Sequence, residues 1–180
     1  MKNKYVKPVL KKRVIKLNLF SRISVTENSL IYDTLLSVYC YCVCVTQNTL
    51  ITLFDKTTQP IINIQPGQYV LSYHVQEKKF VKNKVIKLIV HENENTDGYY
   101  IINSSLNITG NHRVWTNNRG WIRVDEIKMG DELLSKDEKT EIVTSIQKKK
   151  GAETVYNLDL EKPPHNFFAE GMLIHNATKN

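Results

Sequence analysis

The chain repeats part of its own sequence at a fixed interval of 63 residues. Residues 64–72 read IQPGQYVLS and residues 127–135 read IKMGDELLS, while VTQNT at 45–49 returns as ITGNH at 108–112. Two matches in one register predict a domain built from two related halves with pseudo-twofold symmetry. The first half then begins near Cys44.

Short runs of β-branched and aromatic residues follow one another from residue 49 onward, separated by turn formers such as Pro66-Gly67 and Asp97-Gly98. Runs of this composition are typical of strands of about five to seven residues. We therefore predict an all-β fold of about a dozen strands without helices between them. The nine runs with the clearest strand pattern are 49–54, 68–73, 84–90, 99–102, 112–115, 121–124, 141–146, 155–160 and 166–169.

The net charge of +7 comes almost entirely from the start of the chain. Residues 1–43 hold eight basic and two acidic side chains, whereas the remaining 17 basic and 16 acidic residues nearly cancel. A basic arm can bind nucleic acid or a membrane surface. A solvated flank or a fragment of a host protein is favoured here, because no aromatic stacking pattern accompanies the charge.

The number and spacing of the cysteines indicate the redox environment of the protein. Cys40, Cys42 and Cys44 occupy alternate positions, a spacing that disfavours a structural zinc site. Three is an odd number for a disulfide framework, so we expect a reducing, cytoplasmic environment. No uncharged apolar run reaches the roughly 18 residues that indicate a membrane span.

A His-Asn pair stands near the end of the chain. His175-Asn176 follows a short apolar run, and only residues 177–180 come after it. An asparagine carboxamide can attack its own main-chain carbonyl, which gives a succinimide and breaks the bond to the next residue. That reaction is slow unless a neighbouring imidazole polarises the carbonyl or protonates the leaving amine, and His175 is the candidate.

Cys44, which opens the repeat, offers a second reaction. Its thiolate can attack the Val43 carbonyl and turn the amide into a thioester. The step is uphill in an unstrained peptide, so a site must polarise the amide and stabilise the expelled amine. In the matching place of the second half, His112 can protonate the leaving nitrogen and Thr109 can hold the amide by a hydrogen bond.

The ordered set of these motifs resembles the intein family, or more broadly the Hint domains. CVTQNT at 44–49 is similar to the family's opening motif, in which a threonine, here Thr49, follows the cysteine by five residues. TGNH at 109–112 resembles its Thr-x-x-His motif. VYNLDL at 155–160, with HNFF at 165–168 and the final His-Asn pair, resembles its two C-terminal motifs. The resemblance covers residues 44–176 with order and spacing in agreement.

The resemblance implies a horseshoe-shaped, pseudo-symmetric fold whose two splice junctions meet in one cleft. It implies Cys44 as the first nucleophile and Asn176 as the group that cyclises. Thr109 and His112 would activate the N-terminal junction, and His165 and His175 would assist the C-terminal one. Supporting positions are Thr49, Asn111 and Asn157.

The resemblance also implies the size class, cofactor requirement, substrate and oligomeric state of the domain. The 42 residues between His112 and Val155 are too few for a homing endonuclease, so this would be a minimal intein. No metal or organic cofactor is expected. The substrate would be the chain's own flanking segments, with no nucleic acid or membrane required, and the domain would act as a monomer.

Two positions depart from the family pattern. The residue after the cyclising asparagine is usually Cys, Ser or Thr, whereas Ala177 has no nucleophilic atom. We expect either cleavage with ligation by an atypical path, or an engineered precursor in which alanine replaces a native nucleophile. Asn157 stands where many members carry aspartate, so an acid that can tune the cysteine and the branched intermediate is missing.

The sequence thus predicts a flank at 1–43, a Hint domain at 44–176 and a flank at 177–180. Cys44 or His112, taken singly, would indicate an ordinary buried structural residue. The alternative function is a non-catalytic all-β binding module with a basic nucleic-acid-binding tail. Salt-dependent binding that disappears on deletion of residues 1–22 would favour that alternative.

Overall fold

The structure, a computed structural model, describes residues 43–92 and 98–176. These residues form an all-β fold, which confirms the prediction, although two single-turn 3₁₀ helices at Ile61–Asn63 and Val124–Glu126 interrupt the strands. Predictions for Cys40, Cys42, Ala177 and the two flanks lie outside the described residues. The strands are β1 Val45–Thr46, β2 Leu50–Thr52, β3 Thr58–Pro60, β4 Tyr69–His74, β5 Lys79–His91, β6 Tyr99–Ile102, β7 Leu106–Ile108, β8 Arg113–Thr116, β9 Gly120–Arg123, β10 Glu132–Leu134, β11 Thr140–Ile142, β12 Ile146–Lys149, β13 Val155–Leu160, β14 Asn166–Ala169 and β15 Met172–His175.

The strands form two antiparallel sheets. One has the order β12-β6-β7-β1-β13-β5-β4, and the other has the order β11-β10-β8-β15-β14-β2-β3, with β9 paired to β8. Six pairs of consecutive strands form hairpins, such as β4 with β5 and β14 with β15, whereas β1 lies between β7 and β13, which are far from it in sequence. Within the described ranges, no helix has the length and apolar character needed to cross a bilayer.

The two halves that the repeat predicts have the same backbone hydrogen bonds. In the first half, the N–H of Ile61 donates to the carbonyl of Thr49 at 2.9 Å. In the second half, the N–H of Val124 donates to the carbonyl of His112 at 2.8 Å. Both bonds begin a 3₁₀ turn exactly one repeat apart in register, so the internal symmetry is a property of the backbone as well as of the sequence.

The Gly-containing turns of the repeat also coincide. Gly67 and Gly130 have φ angles of 94° and 88°, a region that only glycine enters without steric cost. The N–H of Gly67 donates to the carbonyl of Val85 at 2.8 Å, and that of Gly130 donates to Val143 at 2.9 Å. Each turn therefore makes the same kind of main-chain contact with a segment that follows it in the chain.

The C-terminal strands lie inside the sheets rather than at their edges. β13 lies between β1 and β5, and β15 lies between β8 and β14. All four residues of β14 are buried. Phe167 of β14 and Leu173 and Ile174 of β15 are completely buried. Strands buried on both faces carry apolar residues in sequence, and each such side chain contributes roughly 1.5–3 kcal/mol on burial. The packing anchors the chain immediately before His175.

Six of the nine strand predictions differ from the structure in their bounds, and two of them differ most. The strand expected at 84–90 is the 13-residue β5, which pairs with β4 over Lys79–Lys84 and with β13 from Val85 onward. Lys79 and Lys82 of β5 are exposed, so the part of this strand that precedes residue 84 lacks the apolar signal of a buried strand. The strand expected at 141–146 divides into β11 and β12, because the N–H of Val143 bonds to the loop residue Asp131 instead of a neighbouring strand.

Candidate active site

Thr109 holds both main-chain polar groups of Cys44. β1 and β7 pair through Val45 and Ile108, and this pairing brings the two residues next to one another. The Cys44 N–H donates to Thr109 Oγ1 at 2.9 Å, and the Thr109 N–H donates to the Cys44 carbonyl at 2.9 Å. The threonine hydroxyl lies 3.2 Å from the same carbonyl, to which it donates. The nitrogen of the Val43–Cys44 peptide is therefore fixed by a buried hydroxyl.

His112 lies on the turn that connects Thr109 to β8, and its ring is completely buried. The ring Nε2 lies 2.6 Å from the main-chain carbonyl of His175. A carbonyl only accepts, so Nε2 carries the hydrogen and the neutral ring keeps its lone pair on Nδ1. Nδ1 is buried and makes no hydrogen bond in the described part of the chain.

Burial lowers the pKa of His112 to about 4, and the His175 and Cys44 main-chain groups oppose that shift. The Cys44 main chain lies close enough to hydrogen-bond the protonated ring and so favours protonation. A ring with this pKa is neutral at pH 7. His112 therefore presents a buried proton acceptor on the side of Cys44.

Asn176 is buried directly after β15, and two hydrogen bonds that it donates set its orientation. Its N–H donates to the His165 carbonyl at 2.8 Å, and its Nδ2 donates to the Leu158 carbonyl at 3.0 Å. Its Oδ1 has no hydrogen-bond partner among the described residues. A buried acceptor left without a donor costs roughly 1–3 kcal/mol and is characteristic of functional positions.

His175 contacts the carbonyl that asparagine cyclisation would attack. Its Nδ1–H donates to the main-chain oxygen of Asn176, and the edge of Trp121 packs on the ring with centroids 5.1 Å apart. Burial lowers the pKa of His175, the Asn176 carbonyl opposes this, and the charges of His165 and Arg113 lower it further. The imidazole is thus biased toward its neutral form while it hydrogen-bonds that carbonyl.

Asn157 on β13 reaches the other junction. Its Nδ2 donates to the Val43 carbonyl at 2.5 Å, and its Oδ1 accepts the Leu158 N–H at 2.7 Å. The carbonyl of the same Leu158 holds the Asn176 carboxamide. β13 therefore contacts the carbonyl of the first junction and the side chain of the asparagine at the second.

The structure brings most of the predicted site residues together and leaves two aside. Thr49 lies in the symmetry-related place, where its hydroxyl is 3.3 Å from that of Thr46. Asn111 is half-buried on the turn before His112. Sequence reasoning did not select Leu158, which acts through its main chain, or Trp121, which it assigned only to a strand. The residues placed around the two junctions are Cys44, Thr109, His112, Asn157, His165, His175 and Asn176.

Residues 52–177 match the model of one protein family, described as the pretoxin Hint domain. That match spans well over half of the chain. Among curated proteins, none matches the chain with statistical support.

Solved structures with the same fold include inteins and an intein-like domain. A DnaB intein from Synechocystis sp. PCC 6803 has a TM-score of 0.64 at 24% identity, with 76% of this chain and 100% of that chain covered. A bacterial intein-like domain from Clostridium thermocellum has a TM-score of 0.67 at 18% identity, with 75% and 99% covered. A DnaX mini intein from Spirulina platensis has a TM-score of 0.59 at 28% identity, with 74% and 99% covered.

Proposed function

Because the chain belongs to the pretoxin Hint domain family, we propose that it breaks the two peptide bonds that join its Hint domain to the flanking segments, Val43–Cys44 and Asn176–Ala177. One observation carries this proposal. A single buried turn reaches both junctions: Thr109 binds the main chain of Cys44, and His112 binds the carbonyl of His175, one residue before the second junction. The pairing of β7 with β1 and of β8 with β15 brings these distant segments together, and the turn supplies a hydroxyl and an imidazole there.

In the proposed first break, the Cys44 sulfur attacks the carbonyl carbon of Val43. The buried lone pair on His112 Nδ1 takes the thiol proton and returns it to the Cys44 nitrogen as the C–N bond breaks. The hydrogen bond from that N–H to the Thr109 hydroxyl orients the leaving nitrogen. The products are a thioester at Val43 and a free amine on Cys44.

In the proposed second break, Asn176 Nδ2 attacks the carbonyl carbon of its own residue. The Leu158 carbonyl accepts a hydrogen bond from Nδ2 at 3.0 Å and so restricts the orientation of the carboxamide. His175 Nδ1–H stabilises the oxyanion that forms on the main-chain oxygen. The bond to Ala177 then breaks, the carboxamide proton passes to the leaving amine, and a succinimide remains.

Cleavage of both ends is the proposed main outcome, rather than splicing. Standard splicing transfers the N-terminal segment to a nucleophile that follows the asparagine, and Ala177 has none. Water or an added thiol is then the acceptor for the Val43 thioester. The substrate is the chain's own flanks, a pair of peptide segments joined to one folded domain.

The rival proposal is an all-β binding module with a basic tail. Within the described residues, three buried side-chain polar atoms make no hydrogen bond, and two of them, His112 Nδ1 and Asn176 Oδ1, belong to the proposed reacting groups, whereas the third, Thr52 Oγ1, does not. A binding module gains nothing from unpaired polar atoms in its core, since each costs stability. A reacting site uses them when bonds change.

Mass spectrometry of the freshly made chain at neutral pH, with and without added thiol, tests the proposal. We expect a fragment that ends at Val43 and forms faster with thiol. We also expect loss of residues 177–180, which leaves a succinimide or asparagine at position 176. A full-length mass that stays unchanged under both conditions would refute self-processing.

Matched variants separate the two breaks. Cys44→Ala is expected to abolish only the N-terminal break, and Asn176→Ala only the C-terminal one. Cys42→Ala removes a thiol two residues away, and Asn63→Ala removes an exposed asparagine, so both should leave the two breaks intact. Loss of the N-terminal break in Cys42→Ala would contradict the assignment of the nucleophile.

A further inference from the structure

We propose that Asn157 is the oxyanion donor of the N-terminal break, an assignment that rests on the proposed self-processing function. Its Nδ2 lies 2.5 Å from the Val43 carbonyl oxygen, the atom that gains negative charge when the Cys44 sulfur adds to the carbon. A donor aimed at that oxygen stabilises the tetrahedral intermediate directly. Asn157 is therefore a catalytic residue and not a missing acid.

The orientation of the Asn157 amide follows from its two partners. Oδ1 accepts the N–H of Leu158 at 2.7 Å, and Nδ2 donates to the Val43 carbonyl. A flipped amide would set Oδ1 against a carbonyl oxygen and the NH₂ group against an N–H, so both contacts would become repulsive. Only one orientation satisfies both partners, and it points the donor at the scissile carbonyl.

The surroundings of Asn157 keep this donor in place before the reaction starts. The residue is 1% exposed and belongs to β13, where it pairs with Ile89 of β5. β13 is hydrogen-bonded on both edges, to β1 and to β5. A preorganised donor in a water-poor site stabilises developing charge more than the same donor in water does.

In the first break, Asn157 stabilises the oxyanion and His112 transfers the proton. The C–S bond forms, the carbonyl π electrons move to the Val43 oxygen, and Asn157 donates its hydrogen bond to that oxyanion. When the oxyanion collapses, the bond from the Val43 carbon to the Cys44 nitrogen breaks. A neutral amide transfers no proton, so the thiol proton must reach the nitrogen by another group, which is His112 in the proposed mechanism.

A comparison of Asn157→Leu with Asn83→Leu in the full chain tests the assignment. Asn83 is also 1% exposed and donates to main-chain carbonyls, of Lys162 and Pro164, so the substitution is matched in burial and bonding. We expect Asn157→Leu to slow the thiol-induced N-terminal break by about 10²–10³-fold. In Asn157→Leu, the rate of the C-terminal break should stay within about threefold of the parent, because Asn157 contacts no atom that reacts there. In Asn83→Leu, the rate of the N-terminal break should be similarly unaffected, because Asn83 contacts no atom that reacts at that junction.

The rate of the C-terminal break shows whether each variant is folded, because that break also requires the folded domain. If both breaks fall together in Asn157→Leu and also in the smaller Asn157→Ala, the residue is structural and the assignment is wrong. An N-terminal break at the parent rate in either variant would overturn it as well. Absence of both breaks in the parent chain would instead refute the self-processing function itself, so the two failures are distinguishable.

A direct measurement of the hydrogen bond supplements the rates. In a Cys44→Ala background the first break cannot occur, and no other valine in the chain precedes an alanine. Labelling with carbonyl-¹³C valine and ¹⁵N-alanine then makes the peptide after Val43 the only doubly labelled one. Asn157→Leu should shift its carbonyl carbon resonance upfield, as loss of a hydrogen bond to that oxygen does. An unmoved resonance would refute the contact.

Discussion

Acidification from pH 7.5 to pH 5 should destabilise the folded domain through His112. The folded pKa is about 4, compared with 6.5 for an exposed histidine. The unfolded chain therefore binds the proton more tightly. The stability that the neutral ring contributes is complete above pH 6.5 and is lost as the pH falls from there through 4.

The size of the loss follows from the two pKa values. Between pH 7.5 and pH 5 the linkage amounts to about 2 kcal/mol, with a limit of about 3 kcal/mol below pH 4. His112 is completely buried, so solvent screening does not reduce this figure substantially. For a domain of this size the loss corresponds to a fall in Tm of about 5–10 °C.

Thermal unfolding followed by circular dichroism measures the effect. A Cys44→Ala, Asn176→Ala background keeps the chain intact during the scan. His112→Gln in that background retains a donor for the His175 carbonyl but cannot titrate. Other acid-sensitive groups, such as Asp55 and Asp125, whose pKa values their hydrogen-bond partners lower, are present in both chains and cancel. Equal losses of stability in the two chains would refute the reasoning.

The remaining predictions concern one contact, one core residue and one pair of turns. Thr109→Val removes the hydroxyl that holds the Cys44 N–H, so mass spectrometry should show an N-terminal break at least about tenfold slower with an unchanged C-terminal break. Phe167→Ala should cost about 3–5 kcal/mol in urea unfolding, because the ring is completely buried. Gly67→Ala and Gly130→Ala should each cost about 1 kcal/mol in the same assay, from the positive φ alone, since no atom lies within 4 Å of the added Cβ; a neutral effect at either would contradict the backbone geometry.

The fold class could be predicted because its signals are local. Turn-forming pairs, β-branched runs and the 63-residue repeat are all visible in the sequence, and β6, β13 and β14 have their predicted bounds. Pairing between distant strands has no such signal. The apolar pattern alone gives no reason to place β13 between β1 and β5, or to let β5 serve two partners in succession.

The site was predictable only where side chains carry the chemistry. Cys44, His112 and Asn176 stand out by residue type, and the structure places them around the same turn and strands. The contacts of Leu158 and His175 that organise the site are made by main-chain carbonyls, which every residue has. No residue type could have marked them.

The duplicated turn has a consequence for how such a domain tolerates change. Thr46-x-x-Thr49 and Thr109-x-x-His112 share the same main-chain hydrogen bonds, including N–H to carbonyl distances of 3.1 Å within each turn. One copy ends in a hydroxyl and the other in an imidazole. In the proposed mechanism the reactive group is a side chain on a main-chain turn that occurs twice. Exchange of the side chain at position 112 can therefore remove a proposed reaction while the hydrogen bonds of the turn, which are made by main-chain atoms, remain.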